Sequence, residues 1–145
     1  MTSDRIARDY LRRVRARRRA LEVLRAEAAY ADVVRESQEL VELTLKEALR
    51  FVGADPPKRH DVRAALAQFL DRLPDEWRQA MEEVGRAAGR LAEERGHAFY
   101  GDEEQLIPAS DLFDEEDARE ALAVVDRLLG LYERLLAGPP DRYLP

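Results

Sequence analysis

Apolar positions along this chain recur three and four residues apart in four long stretches, and nowhere do they alternate over the length of a strand. In the first stretch Ile6, Tyr10, Val14, Leu21 and Leu24 mark one face, arginines occupy the others, and Ser3 is placed to cap the start. That pattern predicts a helix over residues 4–26. A second series runs from Tyr30 through Val34, Leu40, Leu45 and Leu49 to Val52, then meets Gly53 and Pro56, a strong stop signal. No glycine or proline separates these two stretches, so a break near residues 26–30 rests on length alone. After "GADPP" the residues Val62, Ala65, Leu66, Phe69 and Leu70 share the face of a short third helix. Pro74 suits the first position of a fourth, Asp75 and Glu76 suit its positive end, and Trp77, Met81, Val84, Ala88 and Leu91 carry it to the neighbourhood of Gly96. Residues 97–113 follow no period and read as a long ordered loop pinned by Phe99, Tyr100, Ile107 and Leu112. Asp114 opens an acidic helix start, and the stripe through Leu122, Val125, Leu128, Tyr132 and Leu135 carries a final helix to Gly138. The expected fold is all-α: an antiparallel, up-and-down bundle of about five helices in one domain over residues 1–138, followed by a short tail over 139–145.

Composition sharpens this picture in two places. The 145 residues are 46% hydrophobic, enough for a single core, and contain no cysteine, which removes disulfide, thiol and cysteine-zinc chemistry and fits a reducing cytoplasm. No run resembles a signal peptide or a bilayer span, so a soluble cytoplasmic protein without membrane attachment is expected. The net charge of −6 conceals a division: residues 1–25 hold nine arginines against Asp4, Asp9 and Glu22, leaving the rest of the chain strongly acidic. The run "RRVRARRR" wraps several faces of its helix, which makes solvated charge paired with the acidic body the favoured reading over a groove-reading strip.

One stretch departs from helix building. In "DPPKRHDV", residues 55–62, Pro56 and Pro57 forbid the second helix from continuing, and Lys58, Arg59 and His60 arrive at the start of the next, where free amides attract anions. Two readings stand: a nucleotide- or anion-binding turn, or a helix stop followed by a cap made by His60 and Asp61. The carboxylates from Asp111 to Asp117 lack the alternating spacing and internal glycine of a cation loop, so no metal site and no cofactor are expected.

The segment "LTLKEALRFVGADPPKRHDV", followed later by "FYGDEE", "IPASDLF" and "EDAREAL", resembles the HEPN family (higher eukaryotes and prokaryotes nucleotide-binding) over about residues 8–136. The resemblance implies an antiparallel helical bundle, frequent homodimers, and in prokaryotes a minimal nucleotidyltransferase partner, with toxin–antitoxin pairing as one setting. It also implies a metal-independent ribonuclease motif, an arginine and a histidine with four to six residues between them, brought together across the dimer. "RLAEERGH" offers Arg90 and His97, the imidazole to take a 2′-hydroxyl proton and the guanidinium to stabilise the phosphate charge. Leu91 stands where active members carry a polar residue, and Glu93 and Glu94 would repel RNA. The leading expectation is therefore a dimeric module that binds a nucleotide or its nucleotidyltransferase partner. An endoribonuclease toxin acting on RNA is the alternative, and a non-catalytic oligomeric scaffold a further one.

Overall fold

The four long apolar stripes become four long helices. The computed structural model describes residues 2–59 and 62–138. They form α1 (Thr2–Ala26), α2 (Tyr30–Phe51), α3 (Arg63–Phe69) with a 3₁₀ turn at Leu70–Arg72, α4 (Asp75–Tyr100), the single turn α5 (Ala109–Leu112), and α6 (Glu115–Ala137). No strand occurs among the described residues, and no helix there is long and apolar enough to cross a membrane. Cross-helix contacts fix the directions. Arg17 of α1 meets Glu36 and Glu39 of α2, while Arg8 and Arg25, at opposite ends of α1, meet the end and the start of α6. Glu76 and Glu83 of α4 pair in reverse order with Arg134 and Arg127 of α6. Consecutive long helices thus alternate in direction, the expected up-and-down bundle, and α2 and α6, which run parallel, pack against each other across its middle.

Polar groups inside the bundle are tied to specific partners, which leaves the core one register. The indole of Trp77 is fully buried and donates to the Leu131 carbonyl at 3.2 Å. Tyr132 donates to the Ala7 carbonyl at 2.6 Å, and its ring stands edge-on to Tyr10 at 6.1 Å. Burial pushes the Tyr10 phenol up to about 12, against a hydrogen bond with Thr44 that pulls the other way. It raises the Tyr132 phenol as well, helped by the nearby Glu47. On α2 the buried Gln38 donates to Glu42 at 2.9 Å and accepts from Arg95 of α4 at 3.1 Å, and Lys46 completes the chain to Glu42 at 2.9 Å. Gln38 thus holds α2 to α4, while Thr44, within "LTLKEALRF", meets Tyr10 of α1.

The break between α1 and α2 falls where length placed it. Ala29 N–H bonds the Leu24 carbonyl at 2.9 Å and Ala28 N–H the Arg25 carbonyl at 3.0 Å, a Schellman ending with Ala28 at φ 58. Alanine occupies a left-handed position that glycine takes at the end of α2, where Gly53 has φ 83 and Ala54 bonds Leu49. At its other end α1 begins at Thr2, which puts Ser3 inside the helix and not at its cap. The arginine run is largely consumed within the molecule: Arg15 meets Glu133, Arg17 meets Glu39, and Arg18 meets both Glu22 and Asp126.

Two expectations need correction. The fourth helix does not end near Gly96; it continues through His97 to Tyr100 and stops at Gly101, φ 75, where a Cβ would lie 2.3 Å from the Ile107 carbonyl oxygen. Glycine within a helix lowers its stability but does not terminate it; a left-handed residue with a blocked Cβ does. The loop is correspondingly shorter and more ordered. Asp102 and Ile107 exchange two backbone hydrogen bonds, Leu106 is held at φ 58 with its side chain in solvent, and α5 follows. Phe99 and Tyr100 do not pin this loop; both are exposed on the last turn of α4. The acidic start of α6 is as expected, a capping box in which Asp114 and Asp117 each accept the other's backbone N–H.

Candidate functional site: an arginine-lined groove between α4 and α6

Antiparallel packing of α4 and α6 on α2 leaves a groove between them on the outer side, with a cavity volume of about 750 Å³. Small apolar residues form its floor: Val84 and Ala87 from α4, Ala123 and Val124 from α6. Its walls are charged. Arg86, Arg90 and Glu93 stand on α4, and Arg119, Glu120 and Arg127 on α6. Arg127 reaches across to Glu83 and fastens one end of the groove, while Arg119 is held by Glu116 of its own helix. Glu94 lies beside Arg90, and its carboxyl is pushed up chiefly by burial and then by Asp117, with Arg90 opposing.

A third element contributes. Arg63, the first residue of α3, lays its guanidinium against Gly89 in the middle of α4, so close that a Cβ on Gly89 would sit 2.6 Å from Nη1. Arg63 also lines a second cleft of about 430 Å³ between α3 and α4, whose apolar wall includes Leu66, Leu70 and Met81. Arg86 borders both spaces.

Of Lys58, Arg59, Arg90 and His97, Arg90 alone lines this groove, with Glu93 of the same motif beside it. His97 is exposed two turns further along the same helix, about 10.5 Å along the axis. The unbroken helix through Gly96 keeps it there, so Arg90 and His97 share a face of α4 without meeting within the chain. Lys58 and Arg59 are exposed in the bend before α3 and line neither space, and His60 lies outside the described residues. A seven-residue α3 without a side-chain cap gives that bend little of the dipole once expected of it. Among the described residues no group of His, Asp and Glu side chains is placed to hold a metal ion.

Arg63 and Gly89, 26 positions apart, were invisible as a pair in the sequence. The available signal was the row of glycines in α4, of which Gly85 and Gly89 fall one turn apart on the same face.

The model of the HEPN domain matches residues 7–135, nearly the whole bundle from the first turns of α1 to the last of α6. The chain belongs to the HEPN family. Comparison with curated proteins and with solved structures gave no match to this HEPN chain. Within the domain, the arginine-lined groove is made wholly of α3, α4 and α6 residues that fall inside the matched span.

Proposed function

We propose that this HEPN protein is a dimeric binding module that takes up a nucleotide and works with a minimal nucleotidyltransferase, as one half of a toxin–antitoxin pair. The observation that carries this reading is the α4–α6 groove. Its volume of about 750 Å³ suits a ligand of nucleotide size, its floor is apolar, and its arginines supply the bidentate donors that phosphate oxygens accept. Glu93 and Glu120 on the same walls disfavour a long polyanion and favour a compact ligand that also carries hydroxyl or amino donors. Calorimetric titration of the purified chain with nucleotides, and co-purification with a co-expressed minimal nucleotidyltransferase, test it. A protein that binds neither removes the reading, and a monomer mass by light scattering at micromolar concentration removes its dimeric part.

A second reading, a metal-independent endoribonuclease, is favoured by one observation: Arg90 and His97 are both exposed on the same face of α4. A two-fold axis near Glu93 and Glu94 would bring Arg90 of one protomer to the partner subunit's His97, around one phosphate. It would also bring four carboxylates together at the axis, which is why the binding reading is preferred. RNA cut without added metal by the parent, and left whole by His97→Ala, would reverse that preference.

A further inference from the structure

Two local rules are broken at one place on α4. Arg86 and Arg90 stand one turn apart, a like-charge spacing that destabilises a helix and that Glu82 offsets in part by pairing with Arg86 at 3.8 Å, and on the α3 side of Arg86 the chain has Gly89, a poor helix former in mid-helix. The structure supplies the reason for the glycine. It is buried with the Arg63 guanidinium against it, and a Cβ there would lie 2.6 Å from Nη1 and 2.7 Å from Cζ, so that the guanidinium would have to move. The fold thus gives up helix stability to bring a third cation onto the face that already carries two.

We propose that Arg63, seated on Gly89 and lining the groove together with Arg86 and Arg90, is the phosphate subsite of the groove, built for a ligand carrying at least two linked phosphates. The proposal rests on the nucleotide-binding reading above and deepens it. Three guanidiniums on one face match the charge of a diphosphate better than that of a single phosphate, and each presents planar paired donors. Arg63 and Arg86 border the apolar cleft as well as the groove, so a ligand held by them can lay a ring against Leu66, Leu70 and Met81 while its phosphates remain among the arginines. Arg63 also begins α3, so a bound diphosphate ties α3 to α4 through a residue that makes no part of the main core.

Calorimetry on the full chain with adenosine, AMP, ADP and inorganic pyrophosphate tests the subsite. ADP and pyrophosphate are expected to bind, AMP about tenfold or more weakly, and adenosine weakest, since each lost charged hydrogen bond is worth about that factor or more. Arg63→Ala should weaken ADP by about tenfold or more. Gly89→Ala should keep or raise the melting temperature and weaken ADP in the same direction, because its Cβ displaces the Arg63 guanidinium from its seat on α4. If ADP binds the parent, Gly89→Ala and Arg63→Ala equally, the subsite is wrong while nucleotide binding stands. If the parent binds neither ADP nor pyrophosphate, both fail. If a single-stranded RNA oligonucleotide binds through Arg63 and ADP does not, the groove is an RNA site and the diphosphate assignment is overturned.

Discussion

Arg18 holds Asp126 in a two-pronged grip, with Nε 2.6 Å from one carboxylate oxygen and Nη2 3.0 Å from the other, so that the middle of α1 is clasped to the middle of α6. The third nitrogen donates to Glu22 at 2.7 Å, and only 18% of the Arg18 side chain is exposed. Fork geometry and partial burial place this pair at the upper end of surface ion pairs. A double-mutant cycle with Arg18→Ala and Asp126→Ala, read by urea unfolding through the single tryptophan, is expected to give a coupling of about 0.5–1 kcal/mol that declines with added salt. Arg18→Lys should recover little of it, because an ammonium cannot span both oxygens.

The turn after α1 offers a gain in stability. Ala28 holds φ 58, a region that disfavours any Cβ by about 1–2 kcal/mol, at the position where helices most often place glycine. Ala28→Gly relieves that strain and gives back part of the gain by loosening the unfolded chain. The expected net is a stabilisation of about 1 kcal/mol in urea unfolding. Ala28→Val should lose stability by a comparable amount.

The reverse holds at Gly101. With φ 75 and the Ile107 carbonyl 2.3 Å from where a Cβ would be, Gly101→Ala must open the Asp102–Ile107 pairing. A loss of about 1–3 kcal/mol is expected, with limited proteolysis moving into residues 102–108. A variant cut no faster than the parent would show that the loop accommodates the methyl.

Periodicity made the long helices legible because each buries a continuous apolar stripe, and the turn near residues 26–30 was placed by length although Ala28 hides its geometry. The end of α4 was misplaced for a physical reason: Gly85, Gly89 and Gly96 all lie inside the helix, and what separates them from the true stop at Gly101 is a backbone sign that composition does not carry. The site divides the same way. Arg90 was visible as part of a motif, while Arg63 acquires its place only when α3 folds onto α4, a contact between residues with no local relation. Lys58 and Arg59 attracted attention through charge and prolines, yet the chain turns them outward.

Alkaline pH provides a further check on the core. Burial holds the Tyr10 phenol at about 12 against an ordinary value of 10.0. Between those values the unfolded chain gives up a proton that the native state keeps, so the Tyr10 contribution, whole below pH 10, is lost as pH rises towards 12. Tyr132, also raised, acts in the same direction. The stability advantage of the parent over Tyr10→Phe should therefore narrow across that interval in urea unfolding at stepped pH. An advantage that stays constant would mean that Tyr10 ionises in the folded protein as readily as in the unfolded one.

Helix α1 touches the core through a narrow seam, Ala7, Tyr10, Val14 and Leu21, while Arg8, Arg15, Arg17, Arg18 and Arg25 fasten its flanks to α2 and α6. Buried bonds hold that seam, Tyr132 to Ala7 and Tyr10 to Thr44, as Trp77 to Leu131 holds α4 to α6 beneath the pairs Arg127–Glu83 and Arg134–Glu76. The two kinds of attachment respond differently to ionic strength: dissolved salt weakens the straps and leaves the apolar faces intact. Salt thus loosens the rind of the bundle without parting its staves: amides on the outer faces of α1 exchange sooner as salt is raised, while those along its buried seam exchange with the rest of the core.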